Sequence, residues 1–217
     1  MTREMLSVAL ARQIGQVLTP ELAKAIAREA SSSPDLSVDP WQFAPERHGA
    51  YAFQCERLID GGLDLRQQRC SYLYETSAGA PIRTDWRRLH ELAHRGELVI
   101  FTARAIDGGA LVGSVWLYVG TNLDTGMQHV TDDILFVDPA HRGALAGVQL
   151  VKYAERCVFG MGVREATFHF RLVNGADRMA RFLGYTPDAV RVTKTHYGDE
   201  FADAPTRHKG VFDEPAA

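Results

Sequence analysis

The sequence predicts an α/β domain with a mixed, mostly antiparallel sheet flanked by helices. From residue 84 onward, helical and strand patterns alternate in the order helix, hairpin, strand, loop, helix, strand, helix, strand. Asp107-Gly108-Gly109 lies between two apolar runs and is typical of a tight turn between antiparallel strands. A length of 217 residues indicates one domain with extensions.

The first 40 residues predict a helical extension and a linker. Thr19-Pro20-Glu21 has the N-cap, first-turn proline and first-turn acid of a helix start. Residues 31–40 have linker composition, and residues 41–80 carry aromatics without a clear period. An earlier helical stripe is formed by Leu6, Leu10, Ile14, Val17 and Leu18.

The domain itself is expected to span residues 41–200, with a C-terminal arm over 201–217. One predicted helix runs from a cap at Thr84 to Arg95, and another from Asn174 to Leu183. A third begins where the glycine loop of residues 141–147 ends. The predicted strands cover residues 98–106, 110–120, 129–139, 162–172 and 191–197. In the third of these, alternation places Asp133, Leu135 and Val137 on one face and Asp132, Ile134 and Phe136 on the other.

Composition and charge indicate a globular domain and disfavour nucleic-acid and membrane partners. Hydrophobic residues make up 46% and charged residues 24%, as in globular domains. The net charge of -3 disfavours nucleic acid as a partner. Neither the N-terminal segment nor the uncharged stretch 108–123 has the features of a signal peptide or a membrane span, so no membrane partner is expected. The cysteines, an odd set without a CxxC pair, predict reduced thiols and a cytoplasmic setting: Cys55, Cys70 and Cys157.

His90-Glu91-Leu92-Ala93-His94 matches the HExxH pattern of zinc hydrolases. Three arginines flank the motif, Gly96 ends the helix at once, and no third ligand is marked downstream. This context favours an amphipathic surface helix, so no metal site is expected.

Residues 142–147 join a strand to a helix in a glycine-containing loop. Gly143 and Gly147 allow close approach of the backbone, and a helix N-terminus presents unpaired N–H groups and a positive dipole end. Arg142 adds a positive charge at the entrance. Such a loop can hold a diphosphate; alternatively, the glycines only shape a tight strand-to-helix turn.

With these pieces in order, residues 84–197 resemble the GCN5-related N-acetyltransferase (GNAT) superfamily, and among its members the small acetyltransferase-like proteins of bacteriophages. The matching segments are DWRRLHELAH, the hairpin LVIFTARAIDGGALVGSVWLYV, DDILFVDPAHRGALAGVQLV, GVREATFHF and NGADRMARFLGY. The resemblance implies acetyl-CoA as cofactor. It assigns the cofactor contacts to Leu135, Phe136, Val137, Arg142, Gly143, Ala144, Leu145, Ala146, Gly147 and Asn174.

Two positions depart from the usual pattern of the superfamily. Leu145 stands where a glycine is usual in the loop, and Ala180 stands where a tyrosine usually serves as the acid. For the acid, Tyr185 and Tyr197 are the possible replacements. Amine acetylation also needs a group that removes a proton from the amine. Asp133 and His169 are the candidate bases, and each has an ordinary structural alternative.

The resemblance therefore implies transfer of an acetyl group from acetyl-CoA to an amine by direct attack. The acceptor is open among a small molecule, a protein amine and a modified nucleobase, with Glu75 and the aromatics of 41–80 as possible lining. The alternative is a GNAT-fold structural or interaction protein without activity, such as a component of a phage particle. For a phage-encoded protein, the expected location is the host cytoplasm or the virion. A homo-oligomer or larger assembly is possible.

Overall fold

In the part of the chain that the structure describes, helices cover both faces of a six-stranded sheet, which confirms the predicted α/β class. The computed structural model describes residues 10–11, 13–31, 42–59, 62–76, 82–143, 145–170 and 177–187. The strands are β1 (Glu46–His48), β2 (Tyr51–Glu56), β3 (Leu98–Ala105), β4 (Leu111–Thr121), β5 (Gln128–Val137) and β6 (Glu165–Thr167). The helices are α1 (Pro20–Ser31), α2 (Gly62–Thr76), α3 (Trp86–His94), α4 (Ala146–Gly160) and α5 (Asp177–Leu183).

The strands lie in the order in which they occur along the chain. Each neighbouring pair from β1 to β5 is antiparallel, and β6 joins β5 in parallel. This order fits the connections. Short turns join β1 to β2, β3 to β4 and β4 to β5, α2 and α3 lie between β2 and β3, and α4 provides the crossover that the parallel pair β5–β6 requires. None of the described helices is long and apolar enough to cross a membrane.

Each face of the sheet packs against its own helices. On one face, here called the α4 face, Phe101, Val115 and Leu117 pack with Leu150 and Tyr153 of α4. On the other, the α2–α3 face, Ile100, Trp116 and Ile134 pack with Leu65 of α2 and Leu89 of α3. The sheet is thus buried on both sides, and its long strands form the centre of the domain.

The predicted hairpin, the helix around 84–95 and the helix after the glycine loop are confirmed, with small shifts at their ends. The cap of α3 is Asp85 rather than Thr84, because the Asp85 carboxylate accepts a hydrogen bond from the Arg88 amide. The stretch without a period, 41–80, contains β1, β2 and α2. The expected final strand, 191–197, lies outside the described residues, as do Tyr197, Asn174 and Ala144.

Two predicted elements are wrong in extent. The helix expected over residues 6–18 does not continue past residue 11 in the described part, because the chain turns at Gly15, which has a φ of +92°. Ile14, Val17 and Leu18 are largely exposed. The strand expected over 162–172 pairs over Glu165–Thr167 alone among its described residues, because β5 and β6 part beyond that point.

The alternation predicted for β5 is also wrong, because the strand contains a β-bulge. Trp116 pairs with Ile134 whereas the next residue, Leu117, pairs with Asp132, which leaves Asp133 as the extra residue. Asp133 therefore points to the α2–α3 face, where it contacts Arg69, and Asp132 points to the α4 face. The bulge sends the two adjacent carboxylates to opposite sides of the sheet.

A buried ion cluster joins α2 to the sheet. Arg104 of β3 contacts both carboxylate oxygens of Glu56 on β2, at 2.6 and 2.8 Å, and Oδ2 of Asp64 on α2 at 2.7 Å. The Glu56 and Arg104 side chains are 10% and 20% exposed. Burial works to raise the pKa of Glu56, but hydrogen bonds from Arg104 and Thr102 outweigh it, and the pKa is lowered.

Replacing Arg104 by Met is expected to lower the free energy of unfolding at pH 7 by about 2–4 kcal/mol, because it leaves the Glu56 carboxylate buried without a counter-charge. Urea denaturation measures this. The double variant Arg104→Met/Glu56→Gln should lose clearly less stability.

This cost should also depend on pH. The pKa of Glu56 is lower in the folded protein than its unfolded value of about 4.3, so the ionised carboxylate stabilises the folded protein above that pH. The contribution is therefore lost as the pH falls through the folded pKa, and the cost of Arg104→Met should shrink in acid. An equal cost in the single and double variants would contradict this account.

Candidate functional site

The two parallel strands separate next to the bulge, and a carboxylate–imidazole pair lies at the point of separation. β5 and β6 pair at residues 129–131 and 165–167. Immediately beyond, Asp132 Oδ1 accepts hydrogen bonds from the His169 backbone amide at 2.9 Å and from its ring Nδ1 at 2.6 Å. Asp132 thus bridges the two strands where their backbones no longer reach each other.

The pair has the features of a proton-transfer site. The Asp132 side chain is 5% exposed and that of His169 is 41% exposed. Burial raises the pKa of Asp132, and the hydrogen bonds from His169 work in the opposite direction. The ionised carboxylate only accepts hydrogen bonds, so it holds the proton of the neutral imidazole on Nδ1 and leaves Nε2 as an acceptor. His169, a predicted base, therefore has a partner that orients it.

Asp133, the other predicted base, lies in a second cluster on the α2–α3 face. Its Oδ2 is 2.6 Å from Nη1 of Arg69, and the Arg69 guanidinium lies 5.0 Å from the ring centre of Trp116. Burial and the nearby Asp133 carboxylate raise the pKa of Tyr118, so its hydroxyl remains protonated and can donate a hydrogen bond. Oδ2 of Asp133 is thus already held by an ion pair with Arg69.

The loop before α4 is shaped by two left-handed residues. Gly143 has a φ of +92° and Leu145, the N-cap residue of α4, has a φ of +59°. A left-handed conformation is uncommon for leucine and favours glycine. The Leu145 side chain makes no capping hydrogen bond, and the residue is 59% exposed. The first-turn amides of α4 are therefore left without a cap from this side chain.

The loop has space for an anion, although its second glycine also has a structural task. A Cβ at Gly143 would meet nothing within 4 Å. A Cβ at Gly147 would lie 3.2 Å from Cγ2 of Val137 and 3.6 Å from Sδ of Met179, so Gly147 lets α4 pack closely on β5 and α5. The open side at Gly143 and the α4 N-terminus suit a diphosphate, and the residues present fit that group.

The guanidinium group of Arg142 has partners within the protein. It forms a two-pronged pair with Glu75 of α2, at 2.8 and 2.7 Å, and donates from Nε to the carbonyl oxygen of Val137 at 2.9 Å. It also lies 5.3 Å from the ring centre of Phe136. Arg142 and Glu75, both candidate site residues, therefore neutralise each other and tie the end of α2 to the end of β5.

Tyr185, the predicted acid, lies beside α4. Its hydroxyl donates a hydrogen bond to Glu155, and burial raises the pKa of this tyrosine. Its ring packs on Phe168 and Phe170, which flank His169 in the sequence. Tyr185 thus belongs to the aromatic packing around the Asp132–His169 pair, and its role as an acid stays a prediction.

A cleft of about 350 Å³ opens on the α2–α3 face. Arg69 and Tyr118 belong to its lining and also contact Asp133, so one end of the cleft reaches the bulge. Sequence reasoning missed both residues, because Arg69 lies in a stretch without a period and 64 residues from Asp133. The lining consists of Arg69, Leu73, Ile82, Arg83, Thr84, Asp85, Arg88, Leu89, Leu92 and Tyr118.

The HExxH motif lies on α3 with other partners. His90 Nε2 is 3.2 Å from an Arg66 guanidinium nitrogen, and Glu91 pairs with Arg87 at 2.7 Å. A guanidinium group next to His90 disfavours a cation there. Among the described residues, no group of three or more histidine, cysteine, aspartate or glutamate side chains is arranged to hold a metal ion.

Comparison with known proteins gives one family. The family model described as the acetyltransferase (GNAT) family matches residues 63–185, which run from the second residue of α2 past the end of α5 and include the Asp132–His169 pair. No curated protein sequence matches this chain.

Solved structures share the fold at low identity. A ribosomal-protein-alanine N-acetyltransferase from Brucella melitensis biovar Abortus 2308 has 18% identity and a TM-score of 0.57, covering 68% of this chain and 99% of its own. An aminoglycoside acetyltransferase from an uncultured soil metagenomic sample has 18% identity and a TM-score of 0.54, covering 66% and 95%. A glucosamine-6-phosphate N-acetyltransferase from Arabidopsis thaliana has 17% identity and a TM-score of 0.51, covering 66% and 97%.

Proposed function

Because this chain belongs to the GNAT acetyltransferase family, we propose that it transfers an acetyl group from acetyl-CoA to an amine by direct attack. The observation that carries the proposal is the Asp132–His169 pair at the point where β5 and β6 part, next to the bulge in β5. Family membership supports acetyl transfer in general. The acetyl-CoA donor, the amine acceptor and the residue roles are the parts proposed here.

The loop and the end of β5 would hold the cofactor. The N-terminal amides of α4, with Gly143 and Leu145 before them, face the space suited to the diphosphate. Residues 135–137 lie beyond the last pairing with β6, so this segment can offer backbone groups to the pantetheine arm. When bound, acetyl-CoA supplies an activated thioester carbonyl.

His169 would act as the general base. Its Nε2 accepts a proton from the acceptor amine as the nitrogen bonds to the carbonyl carbon, and the carbon–sulfur bond then breaks. Asp132 orients the ring and stabilises the resulting imidazolium. A backbone N–H of the bulged strand would donate a hydrogen bond to the carbonyl oxygen. Tyr185 is a candidate source of the proton for the departing thiolate, and Asp133 remains the second candidate base.

Calorimetry with acetyl-CoA, followed by a thiol-release assay on a panel of amines, tests the proposal. We expect micromolar binding and amine-dependent thiol release. Absence of binding at millimolar acetyl-CoA, with the protein folded, would contradict it. Such a result would favour the alternative of an inactive structural or interaction protein. Ala180 and Leu145, which replace the usual tyrosine and glycine, are consistent with that alternative. The phage relationship, the cytoplasmic or virion setting and any oligomer remain predictions from the sequence.

A further inference from the structure

The cleft on the α2–α3 face carries more positive than negative charge. Its described lining includes Arg69, Arg83 and Arg88 but a single acid, Asp85. Asp85 Oδ1 accepts the Arg88 amide at 2.9 Å and so caps α3, which uses that oxygen within the protein. The charge of Arg69 is matched by Asp133. Two arginines, Arg83 and Arg88, then stand against the one carboxylate of Asp85, which leaves an excess of one positive charge in the described lining.

The guanidinium group of Arg88 is weakly neutralised. It lies 3.5 Å from Glu91 and is 53% exposed, whereas Glu91 lies 2.7 Å from Arg87. Within the described part of the chain, Arg83 takes part in no ion pair that would neutralise it. Two arginine side chains thus line one end of the cleft, beside the N-terminus of α3, where an anion is also favoured by the helix dipole.

The cleft also reaches the bulge on the α2–α3 face, at Asp133, the second candidate base. Arg69 and Tyr118 line the cleft and contact Asp133, the neighbour of Asp132 in the bulge. The volume of about 350 Å³ is at the small end of the range for ligand sites. Leu73, Leu89 and Leu92 give it an apolar wall. A small acceptor can therefore extend from the bulge to the arginines.

We propose that the acceptor carries an anionic group, a carboxylate or a phosphate, besides its amine, and that Arg83 and Arg88 bind this group. Guanidinium groups recognise both anions through paired, charge-assisted hydrogen bonds. The inference rests on the proposed function and names the substrate class of the same site. The anion would fix the orientation of the acceptor, with its amine toward the bulge.

Matched pairs of amines test the substrate class. The phosphate arm compares glucosamine 6-phosphate with glucosamine, and the carboxylate arm compares β-alanine with β-alaninamide. For at least one arm, the anionic member should have a kcat/KM at least fivefold above the neutral member. Arg88→Gln should reduce this preference at least fivefold through KM. The control Arg95→Gln removes an exposed arginine that pairs with Glu97 just after α3, outside the described lining of the cleft, and should leave the preference within twofold.

Anion binding is measured separately from turnover. Inorganic phosphate or succinate should raise the melting temperature of the wild-type protein and of Arg95→Gln, and raise that of Arg83→Gln/Arg88→Gln clearly less. Equal kcat/KM for charged and neutral amines, or the absence of any difference in anion stabilisation between these proteins, would overturn the inference. Failure of the proposed function looks different, because acetyl-CoA itself would then not bind to any of these proteins.

Discussion

The Leu145→Asp variant is expected to bind acetyl-CoA about thirtyfold more weakly than the wild-type protein, whereas Leu145→Asn should bind within about threefold. Leu145 is the N-cap residue of α4, is 59% exposed and has a φ of +59°. Aspartate and asparagine both tolerate this left-handed conformation better than leucine does. They also have similar shapes, so the pair differs mainly in one negative charge at the proposed diphosphate site.

The size of the expected effect follows from electrostatics. A carboxylate a few ångströms from a diphosphate, partly screened by water, opposes binding by about 2 kcal/mol, which corresponds to about thirtyfold in Kd. The measurement is calorimetric titration with acetyl-CoA at low and at high salt, because screening should reduce the difference between the variants. Circular dichroism and melting temperature verify that both variants are folded.

The two variants separate charge from backbone conformation. Equal weakening in Asp and Asn would mean that the side chain at 145, rather than its charge, controls the loop. Unchanged affinity in both would place the diphosphate elsewhere and remove the support that the loop gives to the proposed function.

The parts of the fold that the sequence predicts correctly depend on local signals. Asp107-Gly108-Gly109 specifies the turn between β3 and β4 because glycines with positive φ, here 75° and 68°, are required there. The helix after the glycine loop is likewise marked by its own apolar spacing, with Leu150, Val151 and Ala154 buried. Signals of this kind are complete within about fifteen residues, so the sequence suffices to read them.

The site depends on interactions between distant residues, and here local patterns fall short. Alternation along β5 assumes a continuous pleat, but the bulge inserts Asp133 and reverses the faces of Asp132 and Asp133. The ion pair of Arg69 with Asp133 joins a helix to a strand, and nothing in either segment alone indicates it. The sequence indicates His169 as a candidate base but not its partner Asp132, because their contact requires the two strands to separate.

The second large effect is expected at Asp132. Replacing it by Asn should lower kcat/KM for the amine about a hundredfold or more, while acetyl-CoA affinity stays within about twofold. The asparagine amide can still accept a hydrogen bond from His169, but it cannot stabilise an imidazolium, and it can also present its NH₂ group to Nδ1 and so select the wrong tautomer. Steady-state kinetics of thiol release measures the effect, and His169→Gln should show a loss of at least similar size.

Although Asp132→Asn should lose activity, it should gain stability. This combination distinguishes a role of Asp132 in catalysis from a role in holding β5 and β6 together. Burial raises the pKa of Asp132 in the folded protein. A raised folded pKa means that the contribution of this carboxyl to stability is fully present below its unfolded pKa and is lost as the pH rises through the folded value. At neutral pH the ionised, buried carboxylate therefore lowers the free energy of unfolding, and Asp132→Asn removes the charge while keeping an acceptor for the His169 amide.

We expect Asp132→Asn to melt at a slightly higher temperature than the wild-type protein at pH 7, and this difference should shrink in acid. A less stable variant whose remaining folded fraction turns over at the normal rate would instead identify Asp132 as a strand bridge and would leave Asp133 as the candidate base.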